Sequence, residues 1–213
     1  MSCPTTPIVF IVDNDISIRE SLTVLIEGAG WQSQAFASAA EFLAHPKSVI
    51  PSCLVLDSIL PDLNGLELQE RVSAERCDMP IIFLSSHVDI SLVVKAIKRG
   101  ALEFLIKPFD FETLLGAIRN AIRRSEAVLS RETEVHRLRM DYASLSRRER
   151  EVMAGVASGL LNKEVGTQLG ISEITVKAHR GNVMRKMKAD SFAHLVNMAS
   201  RLRVVRQMTA NAA

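Results

Sequence analysis

Four short apolar runs in the first half of the chain constrain its fold more than any other feature: IVFIV at 8–12, CLVLD at 53–57, IIFLS at 81–85 and LEFLI at 102–106. Each is rich in β-branched or aromatic residues, too short for a helix and nearly continuous in hydrophobicity, as in parallel strands covered on both faces. The intervening segments read as helices. ISIRESLTVLIEGAG places Ile18, Leu22, Leu25 and Ile26 on one face, and the Gly28 and Gly30 that follow suit a helix C-terminus. Similar patterns lie near 65–76, 89–99 and 110–123, with a shorter one at 39–44 and a weaker strand, SQAF, at 33–36. Five such β-α units in residues 1–122 predict an α/β fold, a doubly wound five-stranded parallel sheet.

The rest of the chain has a different character. Residues 123–144 are dense in charge and free of Gly and Pro, with Val128, Val135 and Tyr142 seven apart and Leu138 and Leu145 on an adjoining track. They predict a continuous helical linker that either pairs with another helix or leans on its own domains. Residues 145–213 predict a small all-α domain. Ser146 and Glu149 form the pattern of a capping box, and Asn162, Ser172 and Ser191 are candidate caps of three more helices.

Charge divides along the same line. Residues 1–122 hold nine Lys/Arg against fifteen Asp/Glu, and residues 145–213 hold twelve against five. An acidic first half and a basic second half suggest different partners, nucleic acid for the second. The apolar runs are far shorter than the roughly 20 residues that span a bilayer, and MSCPTTP lacks the pattern of a secretion signal. No membrane association and a cytoplasmic location are therefore expected. Cys3, Cys53 and Cys77, odd in number and without CxxC spacing, suggest neither a disulfide framework nor a zinc site.

In a doubly wound sheet, ligands gather outside the carboxyl ends of the strands. The residues there are Asp13, Asn14, Asp57, Ser85 and Lys107. Two carboxylates, a hydroxyl and an ammonium converging on one cavity suit phosphoryl transfer, in which a carboxylate oxygen attacks phosphorus while Mg²⁺ and a cation neutralise the transferring oxygens. Asp57 is the expected nucleophile. Each residue singly would read as a turn, cap or structural residue; their joint occurrence carries the inference.

These features, in VDND, LVLDSILPDLNG, FLSSH and EFLIKPF, resemble the receiver domain of two-component response regulators over residues 8–122, a flavodoxin-like fold. The resemblance implies that a sensor histidine kinase phosphorylates Asp57, that Lys107 contacts the phosphoryl group, that Ser85 hydrogen-bonds it and that Phe104 changes rotamer. It also implies a cis bond between Lys107 and Pro108, and Mg²⁺ held by Asp13, Asn14, Asp57 and the backbone carbonyl of Ile59. Asn14 departs from the family, which normally has a carboxylate there. An amide oxygen can ligate but brings no charge, so weaker Mg²⁺ binding and slower phosphorylation are expected. Asp15 is read as capping the first helix together with Ser17 and Glu20.

In the basic half, NKEVGTQLGISEITVKAHRGNVMRKM at 162–187 has two helical stretches around a Gly-containing turn, with Val165, Leu169, Ile171, Val176, Val183 and Met187 as a small core. This pattern suits a helix-turn-helix that places side chains in the major groove, or equally a helical protein-binding module with a basic solvated face. With LSRREREVM before it, the segment resembles the LuxR/NarL-type DNA-binding domain, and the two halves together resemble FixJ-type response regulators. By that resemblance Ser172 to Met187 is the recognition helix, with Lys177, Ala178 and Gly181 facing bases and Lys163, Thr175, Arg180 and Asn182 near phosphates. Gly166 departs from the family's usual alanine, at an expected cost of about 0.5–1 kcal/mol in helix stability.

The chain is therefore read as a receiver (1–122), a helical linker (123–144) and a helix-turn-helix domain (145–213). It would be a transcription regulator rather than an enzyme, its partners a histidine kinase, double-stranded DNA, RNA polymerase and a second copy of itself on DNA. Two alternatives stand beside it. One is a phosphorylation-independent DNA binder whose receiver acts as a dimerisation scaffold. The other is an aspartate-nucleophile phosphatase, although neither a substrate domain nor a second general-acid carboxylate is evident.

Overall fold

The computed structural model describes residues 6–47, 49–87, 89–202 and 204. In chain order its elements are β1 (Ile8–Val12), α1 (Ile16–Gly28), β2 (Gln32–Phe36), α2 (Ala39–Ala44), β3 (Ser52–Asp57), α3 (Gly65–Glu75), β4 (Ile81–Ser85), α4 (Ile90–Lys98), β5 (Glu103–Ile106), α5 (Phe111–Ala143), α6 (Arg147–Ala157), α7 (Asn162–Leu169), α8 (Glu173–Lys186) and α9 (Phe192–Arg201). They form two compact units that divide between Ser130 and Arg131, inside α5. No helix among the described residues is long and apolar enough to cross a membrane.

The first unit is a five-stranded sheet of order β2-β1-β3-β4-β5 in which every pairing is parallel. Side chains alternate across a strand, so a run that is apolar throughout needs a cover on each face. Ile8, Phe10 and Val12 of β1 meet Phe42 of α2, Leu68 and Val72 of α3, and Ala96 of α4 in one core. Val9 and Ile11 meet Leu22 and Ile26 of α1 and Leu114 and Ile118 of α5 in the other. The edge strands β2 and β5 are only partly buried, which explains the weaker pattern of SQAF. Cys53 is buried in the second core, where burial pushes its thiol up, and Cys3 lies outside the described residues.

Several local expectations change in detail. The helices expected at 110–123 and 123–144 are one element, α5. Past residue 122 it stays tied to the sheet, because the buried Ser125 Oγ accepts the Ser52 N–H at 3.0 Å. Asp15 alone caps α1, accepting from the Ser17 and Ile18 N–H groups, while Ser17 and Glu20 lie inside the helix. Gly28 is the last residue of α1 and Ala29 its C-cap. Asn162 likewise begins α7 rather than capping it. The N-cap is Leu161, whose side chain offers no acceptor, and Glu164 Oε2 reaches back to its N–H at 2.7 Å. Both arms of the Ser146–Glu149 capping box form, and Ser172 and Ser191 cap α8 and α9.

The second unit packs α6 to α9 around Val152, Met153, Val156, Val165, Val176, Val183, Met187, Leu195 and Met198, with Leu169 and Ile171 at the margin. The turn between α7 and α8 passes through Gly170, whose φ of 66° lies in the left-handed region. Gly166 answers to space as well as to helix propensity. A Cβ there would lie 2.8 Å from the Ile171 carbonyl oxygen, so the cost assigned to this glycine is set against a close approach of the turn that alanine would have to displace.

The last turns of α5 belong to this unit's core. Leu138 is 3 % exposed and joins the cluster with Leu145, with Tyr142 packed against it. Arg201 forms a two-pronged pair with Glu134, Lys188 Nζ meets Asp141 at 2.9 Å, and Arg150 stacks over Tyr142. Leu138→Ala is accordingly expected to lower the unfolding free energy of the second unit by about 2–5 kcal/mol, the cost of emptying a packed leucine site. Urea denaturation followed by circular dichroism measures it; an unchanged midpoint would show that this part of α5 is a spacer.

Candidate functional site

The strand register brings the sequence-derived residues of the first unit level with one another. Val12 pairs with Leu56 and Ser85 with Ile106, so Asp13, Asp57, Ser85 and Lys107 stand at the carboxyl ends of β1, β3, β4 and β5. The backbone continues the alignment beyond the strands, with Ser58 N–H donating to the Leu84 carbonyl and Lys107 N–H to that of Ser85. The Lys107–Pro108 bond is cis.

Lys107 Nζ donates to Asp13 Oδ2 at 2.7 Å and to Asp57 Oδ1 at 2.8 Å. The other oxygens of the two acids accept backbone N–H groups, Asp13 Oδ1 from Asp15 at 2.9 Å and Asp57 Oδ2 from Ile59 at 3.0 Å. Both aspartates are buried. Burial alone would lower the pKa of Lys107, yet the hydrogen bonds to Asp13 and Asp57 outweigh it and hold the ammonium above its ordinary value. One ammonium thus serves two buried acids.

That donor set fits a hard divalent cation. The carboxylates of Asp13 and Asp57 are oxygen donors of the kind Mg²⁺ takes alongside water. Among the described residues no group of three or more His, Cys, Asp or Glu is placed to hold a metal ion. Asn14 is exposed beside the buried Asp13, and Arg19 Nη1 donates to the Asp13 carbonyl at 2.7 Å, so a second positive group lies close by.

Ser85 is brought to the mouth but is engaged elsewhere. Ser58 Oγ donates to Ser85 Oγ at 2.9 Å, and Ser85 Oγ donates in turn to the His87 carbonyl at 3.0 Å. Phe104 pairs with Phe83 across β4 and β5, their rings stacked at 5.7 Å and 16°. Sequence reasoning missed Ser58 and Phe83. A second hydroxyl beside Asp57 and a second aromatic at the matching strand position were the available signals. It also missed the close approach of α3 to Asp57: a Cβ on Gly65 would lie 3.0 Å from the carbonyl oxygens of Asp57 and Ser58, so glycine lets α3 start against the end of β3.

In the second unit, α7 and α8 carry the residues expected to meet DNA. Lys163, Thr175, Lys177, Ala178, Gly181 and Asn182 are exposed, and Arg180 is half-buried. Lys177 Nζ pairs with Glu173 at 2.9 Å, Thr175 shares a hydrogen bond with Ser172, and Asn182 accepts weakly from Arg185 at 3.4 Å. The Arg180 guanidinium lies 4.8 Å from the centre of the Phe192 ring. Phe192, unrecognised in the sequence, thus orients a cation at the flank of α8. At the far end of α8, Lys186 Nζ donates to the buried Glu149 at 2.6 Å and ties the helix to the cap of α6.

Residues 9–119 match the family described as the response regulator receiver domain, and residues 143–199 match the bacterial regulatory proteins of the luxR family. The chain belongs to the two-component response regulators. Nodulation protein W of Bradyrhizobium diazoefficiens is 44% identical to this response regulator over 198 residues, 93% of this chain and 87% of that protein. The transcriptional regulatory protein FixJ of the same species is 38% identical over 193 residues, 91% of this chain and 94% of that one. Among solved structures, response regulator StyR superposes with a TM-score of 0.81 at 41% identity, covering 92% of this chain and all of that one, 100%. The FixJ-type resemblance and the two-part fold are thereby borne out.

The anchor of α8 in this response regulator carries a pH signature. The hydrogen bond from Lys186 and those involving Ser146 hold the Glu149 carboxyl below its ordinary range. A lowered folded value stabilises above the unshifted pKa of 4.5, and that contribution is lost as the pH falls through the folded value. Glu149→Gln is expected to cost about 1.5–3 kcal/mol at pH 7 and to flatten the acid limb of the stability curve. Thermal unfolding between pH 3 and pH 7 measures both, and parallel acid limbs in the two proteins would contradict the assignment.

Proposed function

We propose that this response regulator accepts a phosphoryl group from a sensor histidine kinase on Asp57 and that the modification changes its binding to DNA. The observation that carries the reading is the single ammonium of Lys107 spanning Asp13 and Asp57 at the carboxyl ends of three strands. An oxygen of Asp57 attacks the phosphorus, the bond to the donor nitrogen breaks, its electron pair leaves with the imidazole, and an acyl phosphate results. Lys107 is placed to exchange one carboxylate partner for a phosphoryl oxygen. Ser85 can release the His87 carbonyl and donate to the same group, with Phe104 beside it on β5 as the moving aromatic. Mg²⁺, when bound at Asp13, Asn14, Asp57 and the Ile59 carbonyl, supplies positive charge to the transferring oxygens.

The readout proposed for the second unit is major-groove binding through α8, with Lys177, Ala178 and Gly181 facing bases and Lys163, Thr175, Arg180 and Asn182 close to phosphates. Thr175, Asn182 and Arg180 already hold partners within the unit, which limits the side-chain freedom lost on binding. Two copies on two half-sites would join weak contacts into a stable complex, with RNA polymerase as the partner through which transcription responds. The working division is a receiver to about residue 122 and a DNA-binding domain from 145, in the cytoplasm.

A second reading, regulation without phosphate, is favoured by one observation: an exposed amide, Asn14, stands where a further carboxylate would add charge for a metal. Incubation with Mg²⁺ and a small-molecule phosphodonor separates the two. An acid-stable, base-labile adduct is expected on the wild type and not on Asp57→Ala. Asn14→Asp is expected to tighten Mg²⁺ binding by about fivefold or more, since opposite unit charges 4 Å apart gain about 1 kcal/mol even in water. No adduct at any Mg²⁺ concentration would exclude the phosphoacceptor role under those conditions.

A further inference from the structure

A large apolar side chain at the start of α8 is open to solvent. Ile174 is 79 % exposed, in the first turn of the helix. An exposed isoleucine alone carries little meaning, and its position on the helix gives it one. At about 100° per residue, Ile174, Ala178, Gly181 and Arg185 form a stripe on the side opposite the buried Val176 and Val183. Lys177 lies at the edge of that stripe, paired with Glu173.

Two of the four positions in the stripe have almost no side chain, and nothing lies within 4 Å of a Cβ built on Gly181. A surface can therefore approach this side of α8 closely, and Ile174 is the large apolar group it meets at the N-terminal end. Arg185 within the stripe and Lys177 at its edge are cationic and exposed, which suits a polyanion rather than an apolar protein face. In the major groove the apolar feature within reach of an aliphatic side chain is the 5-methyl group of thymine. The first residues of a recognition helix are those that reach base edges.

We propose that Ile174 is a specificity-determining residue that packs against the 5-methyl group of a thymine in each half-site. The inference rests on the DNA-binding reading of α8 and names a chemical group that this site selects. It differs from the contact assigned to Ala178 in reach, because an isoleucine extends farther from the helix axis than a methyl side chain.

The test uses the full chain and a duplex selected by it from a random pool, remade with each thymine replaced singly by deoxyuridine, which lacks only the methyl group. At one thymine per half-site the wild type is expected to bind the uracil duplex about fourfold more weakly, the worth of one buried methyl group. Ile174→Ala is expected to bind the two duplexes equally while keeping the wild-type melting temperature, since an exposed helical site tolerates alanine. Lys163→Ala is expected to weaken both duplexes alike and to keep the fourfold ratio. The inference is overturned if no thymine shows a methyl effect, or if Ile174→Ala retains the ratio. Failure of the chain to select any duplex would instead overturn the DNA-binding reading beneath it.

Discussion

Lys107 Nζ lies 2.7 Å from one aspartate and 2.8 Å from another, and the architecture of the first unit is what makes that meeting stable. Two carboxylates buried side by side would repel and would each be deprived of water; one ammonium and two backbone N–H groups meet that cost. The arrangement requires three strands whose ends are level, which the parallel register supplies. It also requires a cover that keeps water scarce, supplied by the apolar cores on either side of the sheet. The start of α3 lies against the carbonyls of Asp57 and Ser58, and the glycine at 65 permits that approach. The chemistry proposed for the mouth is a perturbation of this balance: added phosphoryl charge gives Lys107 a new partner, and Ser85 and Phe104 stand where the change is felt.

The second unit is organised around a similar pairing of opposite charges. Glu149 completes the cap of α6 and holds Lys186 at the end of α8, so one carboxylate fixes both the start of the bundle and the pose of the helix read as the DNA reader. Glu134 and Asp141 reach α9 and the segment after α8 from the last turns of α5. The same helix meets the first unit through Leu114, Ile118 and Ser125. Each unit therefore includes part of α5 in its own packing.

Much of this was legible in the sequence because the pattern was strong. The fully buried strands β1, β3 and β4 are apolar throughout, and their ends follow from where that pattern stops. The mouth residues Asp13, Asp57, Ser85 and Lys107 were legible for the same reason, since strand ends define a location. What was not legible depends on neighbours distant in sequence. Ser58 turning to Ser85, Phe83 stacking on Phe104 and Phe192 beneath Arg180 are tertiary contacts without a local periodicity. Asn162 was misplaced because a good capping residue one position late looks the same in sequence, and Glu164 does the capping from inside the helix. The break drawn at residue 122 follows composition, since charge density rises there, while the helix itself continues as α5 and Leu138 returns to a core.

The proposed function requires that events at Asp57 reach α8. The most direct measurement is the affinity for a selected duplex, by fluorescence anisotropy, of the wild type and of Asp57→Ala, each before and after treatment with Mg²⁺ and a small-molecule phosphodonor. Phosphodonor is expected to tighten binding by the wild type by about 5- to 150-fold, the usual range of coupling between two sites, and to leave Asp57→Ala unchanged. Equal affinities for the treated and untreated wild type, with the adduct formed, would contradict the coupling.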